Sequence, residues 1–195
     1  MTSIPDLFLS RRGFLQNSSA LISGGTMTPS VNDDVLLLHE IKILQGMAES
    51  TYQQLWSNLG GITEKELDWK PNKESNSVRW VIGHLYWFEE WAADAMEKKG
   101  RYLSDKKPTS IQDIPFNEVK EKFEIARNRV SDLSKSLNPE QLRSEISYVG
   151  RFDIAIHNLL QVHVLHMSGH RYQIRYIRGT YSRVYHTNKN DFDPW

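Results

Sequence analysis

Four times along this chain, residues suited to a helix seam return at strictly alternating steps of four and three. Leu37, Ile41, Leu44, Ala48, Thr51 and Leu55 form the first series, and Val81, His84, Phe88, Trp91 and Ala95 the second. Val119, Phe123, Ala126, Val130, Leu133 and Leu137 form the third, and Leu159, His163, His166, His170, Gln173 and Ile177 the fourth. That rhythm is the seam of an amphipathic helix that packs against its neighbours. No stretch shows a convincing strand alternation, so the sequence predicts an all-α four-helix bundle.

Local signals set the expected ends. Asn32 or Asp33 can cap the first helix, and Gly60-Gly61 stops it. Thr63 and Glu66 read as a capping box for a short turn closed by Pro71. Asn76 or Ser77 caps the second helix, and Gly100 ends it. The polar stretch RYLSDKKPTSIQDIP then makes a long connection between helices 2 and 3, which predicts up-down-down-up topology. A second short turn, NPEQL, precedes helix 4, for which Asp153 is the expected cap and Gly179 the approximate end. The two halves resemble each other, each with a long helix, a short turn and a histidine-bearing helix. The expected organisation is a tail over residues 1–30, the bundle over 31–180, and a second tail over 181–195 packed on the bundle.

Two of the four seams carry histidine where an apolar side chain belongs. His84 alone reads as a core residue satisfied by one hydrogen bond. His166 and His170, however, stand four residues apart, so their rings rise one above the other on one helix face. A buried unpaired polar ring costs about 1–3 kcal/mol, so three such rings call for a common partner. A divalent transition metal is that partner, because neutral imidazole is a favoured ligand for Zn, Ni and Fe. The candidate metal ligands are His84, His166 and His170. His163 lies on nearly the same stripe and reads as a rim histidine satisfied by water, with fourth ligand and proton carrier as alternatives. Phe88 and Trp91 of YWFEEW read as core. Glu89 and Glu90 read as solvated, with a hydrogen bond to a ligating ring as the alternative for one of them.

Composition excludes several other chemistries. The chain has no cysteine, which removes disulfides, zinc–thiolate sites and a protein thiol nucleophile. Its 24 basic and 24 acidic residues cancel, which argues against nucleic acid as a partner. No segment has the uninterrupted apolar length of a membrane span. The expected location is cytoplasmic. The alternative is export, because SRRGFLQ, from Ser10 to Gln16, is similar to a twin-arginine signal.

NSVRWVIGHL, followed much later by HMSGHRYQIRYIRG, resembles the DinB/YfiT-like metalloenzyme superfamily. ELDWKP is also similar to the turn before that family's second helix. The likeness spans about residues 33 to 180. It implies a four-helix bundle whose metal is held by His84, His166 and His170, with Gln173-Ile174 matching the end of the closing motif. Tyr172 departs from the pattern, standing where the family usually has glycine. It lies two residues past His170, so helical geometry points it away from the metal and it reads as packing on a neighbouring helix, with a phenol lining the pocket as the alternative.

The resemblance implies a metal-dependent S-transferase that joins a low-molecular-weight thiol to a small electrophile. The alternatives are a metal-dependent hydrolase and a non-catalytic metal-binding or stress-response bundle. The expected partners are a small-molecule substrate, the thiol and, in assembly, a homodimer.

Overall fold

The computed structural model describes residues 30–97 and 114–185. The chain divides into two units, Met1–Asp34 and Val35–Trp195. In the first, the described part is Ser30 and the opening turn of a helix. Ser30 and Asp33 cap each other there, at 2.9 and 3.3 Å, so the cap is Ser30, two residues before Asn32 and three before Asp33. The tail expected over residues 1–30, with its twin-arginine-like stretch, lies almost wholly outside the described residues.

Four long helices carry the second unit: α1 (Val31–Ser57), α3 (Val78–Glu97), α4 (Phe116–Ser136) and α6 (Ile156–Tyr185). Two one-turn helices, α2 (Glu64–Asp68) and α5 (Pro139–Arg143), stand at the expected short turns. Thr63 Oγ1 accepts from the Glu66 backbone N–H at 3.2 Å, which is half of the expected capping box. The Glu66 side chain is engaged elsewhere, as described below. Asn138 and Gln141 complete the full reciprocal box on α5. Ser77, whose hydroxyl accepts from the Trp80 N–H at 3.2 Å, caps α3.

Side-chain pairs fix the helix directions. Glu40 meets Gln161 at 2.5 Å, and the Gly60 carbonyl accepts from Arg178 at 3.1 Å, so α1 and α6 run parallel. Arg79 reaches the Ile114 carbonyl at 3.4 Å and Asp94 meets Arg129 at 2.8 Å, so α3 and α4 are parallel too. Gln45 with Ser134 and Tyr52 with Phe123 make α1 and α4 antiparallel. Hence the order is up-down-down-up. With α3 and α4 parallel, the end of α3 and the start of α4 lie at opposite ends of the bundle, about 30 Å apart along the axis of a 20-residue helix.

The seam residues fill the core as their spacing predicts. Ile41, Leu55, Val81, Phe88, Trp91, Ala95, Val119, Phe123, Ala126, Val130, Leu159 and Ile177 are all buried, while Leu37, Leu44, Leu133 and Leu137 pack partly exposed against them. Each large apolar side chain fully buried stabilises the fold by about 1.5–3 kcal/mol.

Two expectations are corrected. A two-stranded antiparallel hairpin, β1 (Glu145–Tyr148) and β2 (Phe152–Ala155), stands where helix was expected to begin, with Tyr148 paired to Phe152. Its turn bends through Val149 and Gly150, both at positive φ, 46° and 68°. Asp153 is therefore a strand residue and not a cap. Ile156 starts α6 instead, with its N–H on the Ser144 carbonyl at 3.1 Å. The hairpin earns its place by burying Ile146 and setting Tyr148 edge-on to Trp91 at 5.2 Å. At the other end α6 continues through Gly179 to Tyr185, and residues 186–195, with Phe192 and Trp195, lie outside the described residues.

Arg178 locks α6 to the turn after α1. Its guanidinium is buried, with Nε 2.6 Å from Glu66 Oε1 and further bonds to the Asn58 and Gly60 carbonyls. Glu66 turns to this cation instead of back to the α2 cap.

Candidate metal centre

Helices α3 and α6 run antiparallel, which sets the early part of one against the middle of the other. His84 on α3 and His166 and His170 on α6 converge there. The His84 Nε2 lies 3.0 Å from the His166 Nε2, which is 3.2 Å from the His170 Nε2. One ring nitrogen from each residue falls within 4.8 Å of the other two. The three residues predicted from spacing are thus the three that the fold brings together.

Two cis ligands on one metal, at bonds of about 2.0–2.1 Å, stand about 2.9–3.4 Å apart. The His84–His166 and His166–His170 separations fall in that range, so the donor set fits a divalent transition metal.

The surroundings keep the imidazoles neutral. Burial, helped by His170, pushes His84 down to about 4. Burial, followed by the neighbouring His170, His84 and His163, pushes His166 down to about 3. His170 is lowered by burial as well, with the Gln173 bond partly opposing the shift. All three rings therefore offer lone pairs at neutral pH. Gln173 Oε1 accepts from His170 Nδ1 at 2.8 Å, which fixes the tautomer and leaves Nε2 free to ligate. The His166 Nδ1 is buried without a hydrogen-bond partner among the described residues.

Aromatic rings hold the imidazoles in place. Trp80 stacks on His84 at 5.2 Å and 12°, and Trp87 stacks at 6.0 Å and 21°. Phe88 lies 4.2 Å from the His166 ring. The two tryptophans were not anticipated, although their offsets of four and three from His84 put them on its face of the helix.

His163 and Glu89 depart from expectation. Neither is a rim or solvated residue: they are 4% and 1% exposed, and His163 Nε2 lies 2.7 Å from Glu89 Oε1. Glu89 serves His163 and does not hydrogen-bond any of the three clustered rings. His163 also lines a solvent-open cleft of about 420 Å³ between α1, α4 and α6, which none of the clustered histidines lines. Tyr172 points away from the cluster as expected, but it is exposed and does not pack on a neighbouring helix. The guanidiniums of Arg171 and Arg175 lie over its ring at 4.3 and 5.9 Å.

A four-helix bundle of this topology, with three imidazoles converging from two facing helices, defines a narrow class of proteins. The DinB superfamily matches residues 47–174, which include every clustered histidine, and the chain belongs to that superfamily. It is similar in fold to YfiT from Bacillus subtilis, described as a probable metal-dependent hydrolase with an unusual four-helix bundle topology. The two share 13% identity with a TM-score of 0.52, over 85% of this chain and 95% of that one. No functionally curated protein matches the chain. Among the described residues, no helix is long and apolar enough to cross a membrane.

Proposed function

We propose that the chain is a metal-dependent S-transferase in which His84, His166 and His170 hold a divalent transition metal. The convergence of the three Nε2 atoms, with separations of 3.0 and 3.2 Å, carries the reading. Three protein ligands leave coordination positions open, which is the pattern of a catalytic rather than a structural site. Bound there, the metal supplies Lewis acidity that lowers the pKa of a coordinated nucleophile.

The chain's own residues favour a thiol as that nucleophile. Among the described residues the convergent group consists of imidazoles alone, with no carboxylate as a built-in base. A free thiol ionises near pH 8.5 and bulk water near 15.7, so a low-molecular-weight thiol needs far less assistance. Gln173 orients His170, and the stacked indoles of Trp80 and Trp87 fix the plane of His84. The thiol gives up its proton to solvent, and the thiolate sulfur would form a bond to carbon of a small electrophile as that carbon's bond to its leaving group breaks and the leaving group departs with the electron pair.

Water as the nucleophile gives the hydrolase reading, which the description of YfiT favours. Metal analysis of protein purified without a histidine tag comes first, followed by paired screens of thiol plus electrophile and of ester or amide hydrolysis. Metal-dependent thiol consumption supports the transferase. Hydrolysis without a thiol requirement replaces it, and a metal-loaded protein inert in both screens returns the chain to the non-catalytic class.

A further inference from the structure

The imidazole of His84 is the middle rung of a three-ring ladder on α3. Trp80, four residues before it, stacks with ring centroids 5.2 Å apart and planes 12° apart. Trp87, three residues after it, stacks at 6.0 Å and 21°. One indole stands a helical turn before His84 and the other a turn after, so they cover opposite faces of its ring. Trp80 is 40% exposed, and the ladder therefore opens to solvent.

We propose that this ladder is the subsite for the electrophile and that it selects a flat, electron-poor aromatic ring. The inference rests on the metal reading above and names the substrate class of that site. Shape supports it first. The lone pair of a ring nitrogen lies in the plane of its imidazole, so whatever His84 Nε2 holds lies in the layer between the two indoles. An indole is wider than an imidazole, and both walls continue past the edge of His84. Aromatic rings stack with centroids about 4.5–7 Å apart. A ring in the layer of His84 thus meets both indoles at stacking distance, as His84 itself does. A branched aliphatic group is too thick to do so.

The facing helix leaves that layer open. Gly169 stands three residues after His166 and four before Gln173, on the same face of α6. Among the described residues nothing lies within 4 Å of the position a Cβ would take there. A larger side chain at Gly169 would project beside the ring of His166, into the space the substrate needs.

Electronics make the choice of ring. Indole faces are electron-rich and favour an electron-poor partner. They attract cations as well, but a divalent metal in the same layer repels a cation. Electron withdrawal is also what makes an aromatic carbon electrophilic. The thiol proton goes to solvent and the sulfur bonds to the ring carbon. The bond from that carbon to its leaving group breaks, and the leaving group takes the electron pair.

Dinitrobenzene has the flat ring but no leaving group, so its binding tests the subsite apart from turnover. In the full chain, with zinc and without it, the indole N–H resonances of Trp80 and Trp87 should shift on titration. Trp80→Leu should weaken binding by roughly fivefold or more, and Trp80→Phe should recover part of the loss. Gly169→Leu should weaken it by a similar factor with metal content retained. Turnover is read as a ratio, chlorodinitrobenzene over iodoacetamide with the same thiol, because any loosening of His84 lowers both rates and cancels. That ratio should fall by roughly fivefold or more in Trp80→Leu. Dinitrobenzene bound at the indoles of a chain inert towards thiols supports the subsite and removes the transferase. No shift of either indole overturns the subsite, and thiol consumption in that case leaves the transferase standing. Binding that survives both Trp80→Leu and Gly169→Leu overturns it as well.

Discussion

His163 on α6 and Glu89 on α3 form a buried pair, Nε2 to Oε1 at 2.7 Å, between the two apolar clusters of the bundle. Leu85 and Met167 belong to one cluster, and Phe88 and Leu160 to the other. Removing one member of such a pair leaves a buried polar atom of the other without its hydrogen-bond partner, at a cost of about 1–3 kcal/mol. Glu89→Ala should therefore lower the free energy of unfolding by about that amount in urea titration. The double variant Glu89→Leu, His163→Leu should recover much of it. Metal content should be unchanged in the double variant, because neither residue belongs to the cluster.

That pair also marks how far the sequence could be read. The alternation of four and three named the seam of each helix, and burial follows it closely. Leu85, Ala92 and Met96 form a second buried stripe on α3, and Glu89 falls on it. A glutamate on an apolar stripe was read by its usual solvation, not by its position, because its partner His163 is 74 residues distant. The triad was legible because two of its members share one helix at a spacing of four. The hairpin was not, since four-residue strands are too short to establish alternation, and its turn uses a β-branched residue at positive φ, which sequence rules disfavour.

Metal content separates ligands from their supports. His166→Ala and His170→Ala should each lower bound metal sharply while helix content survives, and full occupancy in both would rule out the triad. Gln173→Leu keeps all three rings but removes the acceptor at His170 Nδ1. Loss of such an outer partner commonly weakens metal affinity 10–100-fold, and a competition assay with a chromogenic chelator should show a shift in that range.

Acid should destabilise the metal-free protein through the same rings. In the unfolded chain an imidazole titrates near 6.5. In the fold, His84 is held down to about 4 and His166 to about 3. Below pH 6.5 the unfolded state takes up protons that the folded state refuses, so stability falls with falling pH. The decline should run from about pH 6.5 to about 4 and flatten near 3. Melting temperatures measured with chelator present should follow this course, and His166→Leu should make it shallower. A melting temperature constant from pH 7 to pH 5 would contradict the neutral cluster.

The buried cation at the far end of α6 gives a prediction independent of any metal. Arg178 is 4% exposed and Glu66 is its carboxylate partner, at 2.6 Å. Glu66→Ala removes the carboxylate from the guanidinium and keeps its bonds to the Asn58 and Gly60 carbonyls. The expected loss is about 3–5 kcal/mol. Glu66→Gln, which keeps an acceptor, should lose less. Equal losses in the two variants would mean that the Thr63 end of α2, not Arg178, depends on this side chain.

Tyr172 separates a surface role from a chemical one. It lies two residues past His170, turned by about 200° around the helix, and its ring stands in solvent beneath two guanidiniums. A phenol so placed cannot reach a nucleophile held by His84, His166 and His170 within one subunit. Tyr172→Phe keeps the ring and its cation contacts and removes only the hydroxyl. Melting temperature, metal content and turnover should all remain at wild-type values. If turnover alone collapsed, the hydroxyl would belong to the chemistry, and the face that carries it would have to approach a metal site in a second copy of the chain.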